Sequence, residues 1–551
     1  HPYLDDYFGD QRRTLLLLLG SAAFVLLIAC SNVANLLLAR AALRRQEIGV
    51  RLALGASRGR IMRQVLTESG ILSIAGGLLG LLVTHWVVKG LVGLCPVYIP
   101  RIGQTRVDLT VLAFTLGLAI ATGLLFGLMP AWRTAEIRLG QVLKEGQARA
   151  SSGQGWQRLR GGLVVSQIGI ALMLLMGAAL LIRSLMALNR VDLGFQAQNV
   201  LVMRVELPLV KYPQSQKQRA FFDQLLQNIR TMAGVRSAAL VMPALTLAEG
   251  GSTTAISIGA PVANREERFQ VIRRHVGRDF FETMGMRVIR GRTFTELDVQ
   301  AQDVQAEATI GQSLIIDETL ARKFFSDADP IGQHIYYDEE MSGAVVGVVS
   351  TIKDFTELAP AQGILYRLPP MYFYRMEIVV KTAGEPMRLA DGLRAHVRAL
   401  DKDQTCELRT LESTLARMLG PRRFSMVLLG VYAGTALLIA CAGLYGLLQY
   451  TVAHQGHEIG IRMALGARNV DVLKVILKQG LVFTLIGVAV GGAGTLVLSR
   501  VLSSLLYGVR ATDPATFAGA AALLVIVALA ASGIPAWRAA RTNPMSALRY
   551  E

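Results

Sequence analysis

The chain has 551 residues, of which 52% are hydrophobic and only 18% charged, against about 25% charged in soluble domains. Its formal net charge is +17, yet acidic and basic residues nearly cancel between Val191 and Arg423, so the excess sits in short loops around long apolar runs. These figures exclude an ordinary soluble globular protein and argue for a polytopic membrane protein rather than a nucleic-acid binder.

Taken in order, residues 1–13 are polar and read as the end of an outer segment, with no signal peptide before the first apolar run. Runs of about 20 apolar residues can cross a bilayer as helix. They fall at 15–38, 70–93, 108–131, 163–187, 426–449, 479–503 and 516–537, which predicts seven spans. Loop charge orients them. Seven arginines lie between Arg40 and Arg63, and 132–162 is also basic, whereas 94–107 has only Arg101 and Arg106, and 504–515 only Arg510. Cytoplasmic loops are the positive ones. Residues 39–69, 132–162, 450–478 and the C-terminal tail are therefore expected inside, and 188–425 outside. Four cysteines are too few for a disulfide framework.

One stretch occurs twice. Gln46-Glu-Ile-Gly-Val-Arg-Leu-Ala-Leu-Gly-Ala56 returns as His457-Glu-Ile-Gly-Ile-Arg-Met-Ala-Leu-Gly-Ala467, displaced by 411 positions. Leu26-Leu-Ile-Ala-Cys30 returns as Leu437-Leu-Ile-Ala-Cys441 at the same displacement. Met129-Pro-Ala-Trp-Arg133 returns as Ile534-Pro-Ala-Trp-Arg538, displaced by 405. The chain thus holds two copies of a three-span module, at 14–138 and 426–551. Copy two is preceded by an additional span (163–187), after a linker (139–162), and by an outer domain (188–425). Copy one has neither, and residues 1–13 are expected to be the remnant of an equivalent outer domain.

Within the repeated element, Glu47, Ile48, Gly49, Arg51, Leu54, Gly55 and Ala56 correspond to Glu458, Ile459, Gly460, Arg462, Leu465, Gly466 and Ala467. Glu47 and Arg51 are four apart, as are Ile48 and Leu52, which predicts a short amphipathic helix with an ion pair. Gly55 suits its end and Ser57 the cap of the next helix. A basic interfacial helix could simply bind anionic lipid. Lipid binding needs positive charge, however, and not this fixed residue order. Gly76-x3-Gly80 and Gly487-x3-Gly491 permit close helix approach, and their recurrence predicts packing faces.

The outer region reads as α+β. Strands are expected at 199–207, 236–241, 269–276, 313–316 and 344–349, helices at 216–232, 318–325 and 387–400, and a loop at 297–312 between two small lobes. No Gly-x4-Gly-Lys-[Ser/Thr] and no His-Glu-x2-His occurs. Gly55-Ala-Ser-Arg-Gly59 spells a nucleophile-elbow pattern, but a helix precedes it and copy two has Arg468 in place of Ser57. His454 and His457 have no third ligand in sight. Mid-membrane acids, which a proton-coupled carrier would need, are missing from the spans.

The repeated element, the Pro-Ala-Trp-Arg ending and the span order resemble permeases of the MacB/FtsX class of ABC transporters, in a duplicated, acidobacterial-type form shortened at its N-terminus. Phe280–Phe294, Asp317–Phe325, Asp329-Pro-Ile-Gly332 and Val345-Val-Gly-Val-Val349 resemble that class's periplasmic domain. The resemblance implies a polytopic α-helical protein of the bacterial inner membrane, with two FtsX-like modules and a MacB-like periplasmic α+β domain. It implies that the repeated segments dock on a separate ATPase, one subunit per segment, which would carry ATP and Mg; this chain would need no cofactor and bind no nucleic acid. Other expected contacts are membrane lipids and a periplasmic adaptor or envelope partner. The implied activity is coupling of ATP hydrolysis to motion of the outer domain for export. The alternative is FtsX-like signalling to an envelope partner without cargo.

Overall fold

The structure is a computed structural model and describes residues 2–43, 51, 54, 57–94, 108–135, 154–189, 192–242, 252–262, 264, 268–304, 310–326, 328–337, 341–352, 363–369, 374–454, 461, 463, 465, 468–502 and 508–540. It divides into two units, one of His1–Asn189 with Pro421–Glu551 and one of Arg190–Gly420.

The first unit is helical. Copy one supplies α1 (Pro2–Leu43), α2 (Arg58–Leu94) and α3 (Leu109–Ala135); α4 (Gln154–Asn189) follows; copy two supplies α10 (Leu411–His454), α11 (Asn469–Leu502) and α12 (Pro514–Ala540). Among the described residues six helices are long and apolar enough to cross a membrane. The expected span 108–131 falls on α3, whose described apolar part is Leu109–Leu124. In hydrocarbon every backbone group must be satisfied within the helix, and the hydroxyls comply. Thr84 and Thr484 donate back to the carbonyls of Gly80 and Gly480, each at 2.8 Å. The helices outrun the expected spans. Residues 411–420 are mostly good helix formers, so α10 starts directly after the last strand and carries Pro421 within it.

Packing in this unit centres on α4. Val164, Ile168, Leu172, Met176 and Leu180, four apart, form a buried stripe. They share a core with Ile28 of α1, Ala433, Ala436 and Ala440 of α10, and Leu524 and Ala528 of α12. Over its most apolar window α4 is 56% buried, and α2 only 6%.

The second unit is α+β and has two lobes. In the first, β1 (Val200–Glu206) pairs antiparallel with β10 (Arg375–Thr382) and β11 (Cys406–Thr410), and β10 pairs with β2 (Val235–Met242). Helix α5 (Ser215–Arg230) links β1 to β2, and α9 (Ala390–Leu400) links β10 to β11. The order β11-β1-β10-β2 with two such helices is the ferredoxin-like arrangement. Strand alternation builds its core. Leu201, Met203 and Val205 face Phe222, Leu225 and Ile229 of α5 and Leu393 of α9, while Val200 and Val202 enter a second core on the other face.

The second lobe is inserted between β2 and β10. It contains β3 (Ser252–Ile258), β4 (Phe269–Val276), α6 (Phe280–Thr283), β5 (Val288–Gly291), α7 (Glu296–Val304), β6 (Ile310–Asp317), α8 (Glu318–Phe324), β7 (His334–Tyr337), β8 (Met341–Val349) and β9 (Ile364–Arg367). The pairings run β4-β3-β7-β8-β6-β9 and return from β9 to β4. This closed ring of six strands leaves no free edge around Ile256, Val271, Leu314, Ile316, Ile335 and Leu365.

The expected loop at 297–312 is a correction. Its described part is α7 and the start of β6. Asp298 explains the order: it accepts from the Thr295 amide (2.7 Å) and from Ser313 Oγ on β6 (2.6 Å), and pairs with Arg292 (2.5 Å). Burial works against its charge, but these donors hold its carboxyl well below the usual range.

Candidate functional site

The repeated element lies between α1 and α2 in copy one and between α10 and α11 in copy two. Glu47, Ile48, Gly49, Gly55 and Ala56, and Glu458, Ile459, Gly460, Arg462, Gly466 and Ala467, lie outside the described residues. What is described matches between the copies. Leu54 is 82% exposed and its equivalent Leu465 is 83% exposed, each in a turn. The Leu465 amide closes one helical turn on the Ile461 carbonyl at 3.0 Å. Met463, two residues before, packs on the transmembrane core. The segment is thus anchored by one apolar side chain and presents another to its surroundings. Arg51 donates to Gln64 Oε1 at 2.9 Å, which ties it to the first turns of α2.

Both following helices start at the equivalent place. The Ser57 carbonyl accepts from the Arg60 amide at 3.0 Å, and the Arg468 carbonyl from the Asp471 amide at 2.9 Å. In copy two Asp471 reaches back to the Arg468 amide at 3.2 Å, half of a capping box.

The glycine pairs behave differently. A Cβ on Gly491 would lie 2.6 Å from the carbonyl oxygen of Gly169 on α4, and one on Gly487 would lie 2.6 Å from Ile168. Backbone meets backbone there, as small-residue contacts allow. A Cβ on Gly76 or Gly80 would meet nothing within 4 Å. The expectation of a packing face therefore fails for copy one among the described residues. The physical reason is α4, which covers α11 and leaves α2 uncovered. In copy one it is Gly77 that is close to α3, through Leu116 and Ala119, both 3.3 Å from a Cβ placed there.

Two sets of interhelix contacts escaped the sequence reading. Asn32 on α1 donates to the Ile439 carbonyl on α10 at 3.4 Å, and Gln167 on α4 donates to the Ile28 carbonyl at 3.4 Å. A Cβ on Gly443 would collide with Gln167 Oε1 and lie 3.3 Å from Asn32 Oδ1. Gly443 is the repeat equivalent of Asn32, so the copies touch at matching positions, as two-fold partners do. The signal was a large polar residue in one copy opposite glycine in the other. The second contact is Arg183 on α4, which pairs with Asp513 and donates to Thr516 Oγ1 at 2.8 Å. Asp513 is the repeat equivalent of Asp108, at the 405 displacement.

Comparison with known proteins agrees with this layout. The family model described as FtsX-like permease C-terminal matches residues 19–139 and again 430–544. The MacB-like periplasmic core domain model matches residues 162–391. A macrolide export ATP-binding/permease protein MacB from Chromobacterium violaceum is 28% identical over 287 residues, which is 50% of this chain and 43% of that protein. A pyoverdine export ATP-binding/permease protein PvdT from Pseudomonas aeruginosa is 39% identical over 132 residues, 23% of this chain and 19% of that protein. The chain spans about half or less of the length of these relatives. The crystal structure of the periplasmic region of MacB from Actinobacillus actinomycetemcomitans aligns with 40% of this chain and 92% of its own, at 15% identity and a TM-score of 0.28. With two FtsX-like segments enclosing a MacB-like periplasmic core domain, the chain is a multi-pass membrane protein similar to the MacB/FtsX-like permeases of ABC transporters.

Proposed function

We propose that this chain is the permease subunit of an ABC system in the bacterial inner membrane and that a separate ATPase drives it. The observation that carries the reading is the pair of repeat-equivalent leucines, Leu54 and Leu465, each exposed immediately before an equivalent helix start. Two like footholds on one chain suit the two like subunits of an ATPase dimer. The chain has no phosphate-binding Gly-x4-Gly-Lys-[Ser/Thr] loop, so ATP and Mg belong on that partner. The relatives are named for export, and export is the direction assigned here.

ATPase closure presses on Glu47–Ala56 and Glu458–Ala467. The push on copy two passes along α11 to α4 through the Gly169–Gly491 contact, where there is no soft side chain to absorb it. Helices α4 and α10 are the chain's two connections to the domain that matches the periplasmic core model, so their displacement becomes domain motion. The arginine asymmetry of the loops puts the footholds inside and the domain outside.

The test is purification of the full chain from native membranes, followed by assay of ATP hydrolysis in the eluate. ATPase should co-purify with the wild-type chain and be lost from a Leu54→Asp, Leu465→Asp variant that still folds. An undiminished ATPase yield with that variant removes the foothold role. A maleimide probe applied from outside should label Gln300→Cys and not Arg58→Cys; the opposite labelling reverses the topology.

A further inference from the structure

We propose that the end of the helical unit at which α4 leaves and α10 enters holds an anionic phospholipid. A tier of arginines takes its phosphate, and exposed apolar side chains just beneath take its acyl chains. The reading above contributes only that this is the outer end of the spans; the inference otherwise stands apart from ATPase docking.

Helix packing brings the arginines to one level. Helices α4 and α10 run in opposite directions: Arg160 stacks on Tyr450 at one end, and a Cβ on Gly177 would lie 3.6 Å from Leu429 Cδ2 toward the other. Arg183 lies six residues beyond Gly177 and Arg423 six residues before Leu429, so each is about 9 Å past that contact. Helix α11 runs alongside α4, with Gly491 against Gly169 and Gly494 against Met173, which brings Arg500 within about one turn of the same level. Arg510 joins through Asp513, whose amide donates to the Arg510 carbonyl at 3.1 Å and whose carboxylate pairs with Arg183. With Arg422, five arginines of α4 and copy two share this tier with one described carboxylate. Helix α1, tied to α4 by Gln167 at Ile28, does not offset them. It reaches the tier with Arg12 and Arg13 beside Asp10, and Asp5 and Asp6 lie about a turn further out. On α10 the next charges outward, Arg417 and Glu412, cancel.

Arginines that flank membrane spans collect on the cytoplasmic side, so a basic tier at the opposite end calls for an anion of its own. Guanidinium and phosphate make paired, charge-assisted hydrogen bonds, and basic sites between transmembrane helices suit phospholipid headgroups. A place for the tails is present too. Leu496 and Val497 are exposed in the turn before Arg500, and Val427 and Val431 are exposed one and two turns after Arg423. A free phosphate would use the arginines and leave this apolar strip idle, whereas a phospholipid uses both. Copy one is built differently at the matching positions, where Gln11, Lys89 and Thr105 stand in place of Arg422, Arg500 and Arg510.

The test compares Val497 with its repeat equivalent Trp86, which are 74% and 71% exposed. Val497→Cys or Trp86→Cys, in the full chain freed of its native cysteines, carries a fluorophore, and the protein is placed in phosphatidylcholine nanodiscs. Trace phosphatidylglycerol or phosphatidylcholine, each spin-labelled close to the headgroup, then quenches the fluorophore. The phosphatidylglycerol-to-phosphatidylcholine quenching ratio should be several-fold higher at Val497→Cys than at Trp86→Cys. Combining Arg422→Gln, Arg423→Gln, Arg500→Gln and Arg510→Gln should bring the two ratios together. Lysine substitutions of the same four arginines should keep them apart, which separates charge from misfolding. Arg183 is retained so that its pair with Asp513 stays. Equal ratios in the wild-type background would overturn the proposal, as would a ratio unmoved by the glutamine changes or lost equally with the lysine changes. Loss of the enrichment to excess inorganic phosphate at matched ionic strength would overturn the lipid in favour of a free anion. ATPase docking is not read out, so these outcomes leave the permease assignment untouched.

Discussion

The hairpin α2–α3 and the hairpin α11–α12 have the same plan and different surroundings. Both follow a Glu-Ile-Gly-x-Arg segment, both begin at an equivalent residue, and both carry a small-x3-small pair at the same place. Only α11 has α4 against that pair. The difference teaches that a packing motif is permissive: glycine removes an obstacle, and a partner has to supply the contact. It also separates what the repeat encodes locally, namely helix starts and exposed turns, from what depends on a third helix.

The sharpest way to break this comparison is to fill the glycines. Gly491→Leu places a side chain where the Gly169 carbonyl already stands. Overpacking of this kind costs about 1–3 kcal/mol or more, and the variant should melt well below wild type in detergent. Gly80→Leu should be close to neutral in the chain as described. Equal losses would mean the two hairpins are not differently packed.

Acidification should separate the units instead of the hairpins. His275 on β4 is buried, and burial, followed by the positive charges of Arg367 and Arg273, pushes its pKa down to about 3 from 6.5. Between those values the unfolded chain binds the proton and the folded chain does not. Stability is therefore fully present above pH 6.5 and is lost as pH falls toward 3, with a limiting slope of about 1.4 kcal/mol per pH unit. Hydrogen-exchange protection of β4, taken relative to the intrinsic exchange rate at each pH, should fall below pH 6.5 in the full chain, and His275→Gln should flatten that slope, while α2 and α11 hardly respond. An unchanged slope in the variant would assign the effect elsewhere.

The smallest expected effect is at the carboxylates. Asp513→Ala loses a helix cap and the Arg183 pair, whereas Asp108→Ala loses a cap alone. The first should lower the melting temperature by a few degrees more than the second, and high salt should narrow the gap because exposed ion pairs are screened. A gap that survives high salt would point to the Arg183–Thr516 hydrogen bond.

Much of the fold is legible in the residues because the decisive patterns are local. Apolar length marks the spans, and the expected strand at 269–276 coincides with β4 (Phe269–Val276). Helix 216–232 was visible from Phe221, Leu225 and Ile229 on one face, all buried against β1 and β10. Short strands such as β7 and β9 were not legible, since four residues give too little alternation and their pairing closes a ring through distant segments. Helix α7 was missed because Asp298 is held by Ser313, a contact across 15 residues. At the candidate site the repeat marked the two equivalent segments proposed as footholds, of which Leu54 and Leu465 are described and exposed. It could not show that α4 covers only one glycine pair, because coverage is a property of three helices together.

The central claim is that one chain offers two equivalent ATPase footholds in spite of unequal packing behind them. Native mass spectrometry of the complex taken from native membranes tests it most directly. The wild-type chain should carry two ATPase subunits. Arg51→Glu and Arg462→Glu should each weaken docking to a similar degree, because a lost charge-assisted contact costs about 1.5–3 kcal/mol, roughly a tenfold to hundredfold loss of affinity. The double variant should lose nearly all of it, since linked contacts support one another. A double variant that retains two ATPase subunits at wild-type yield would contradict the account.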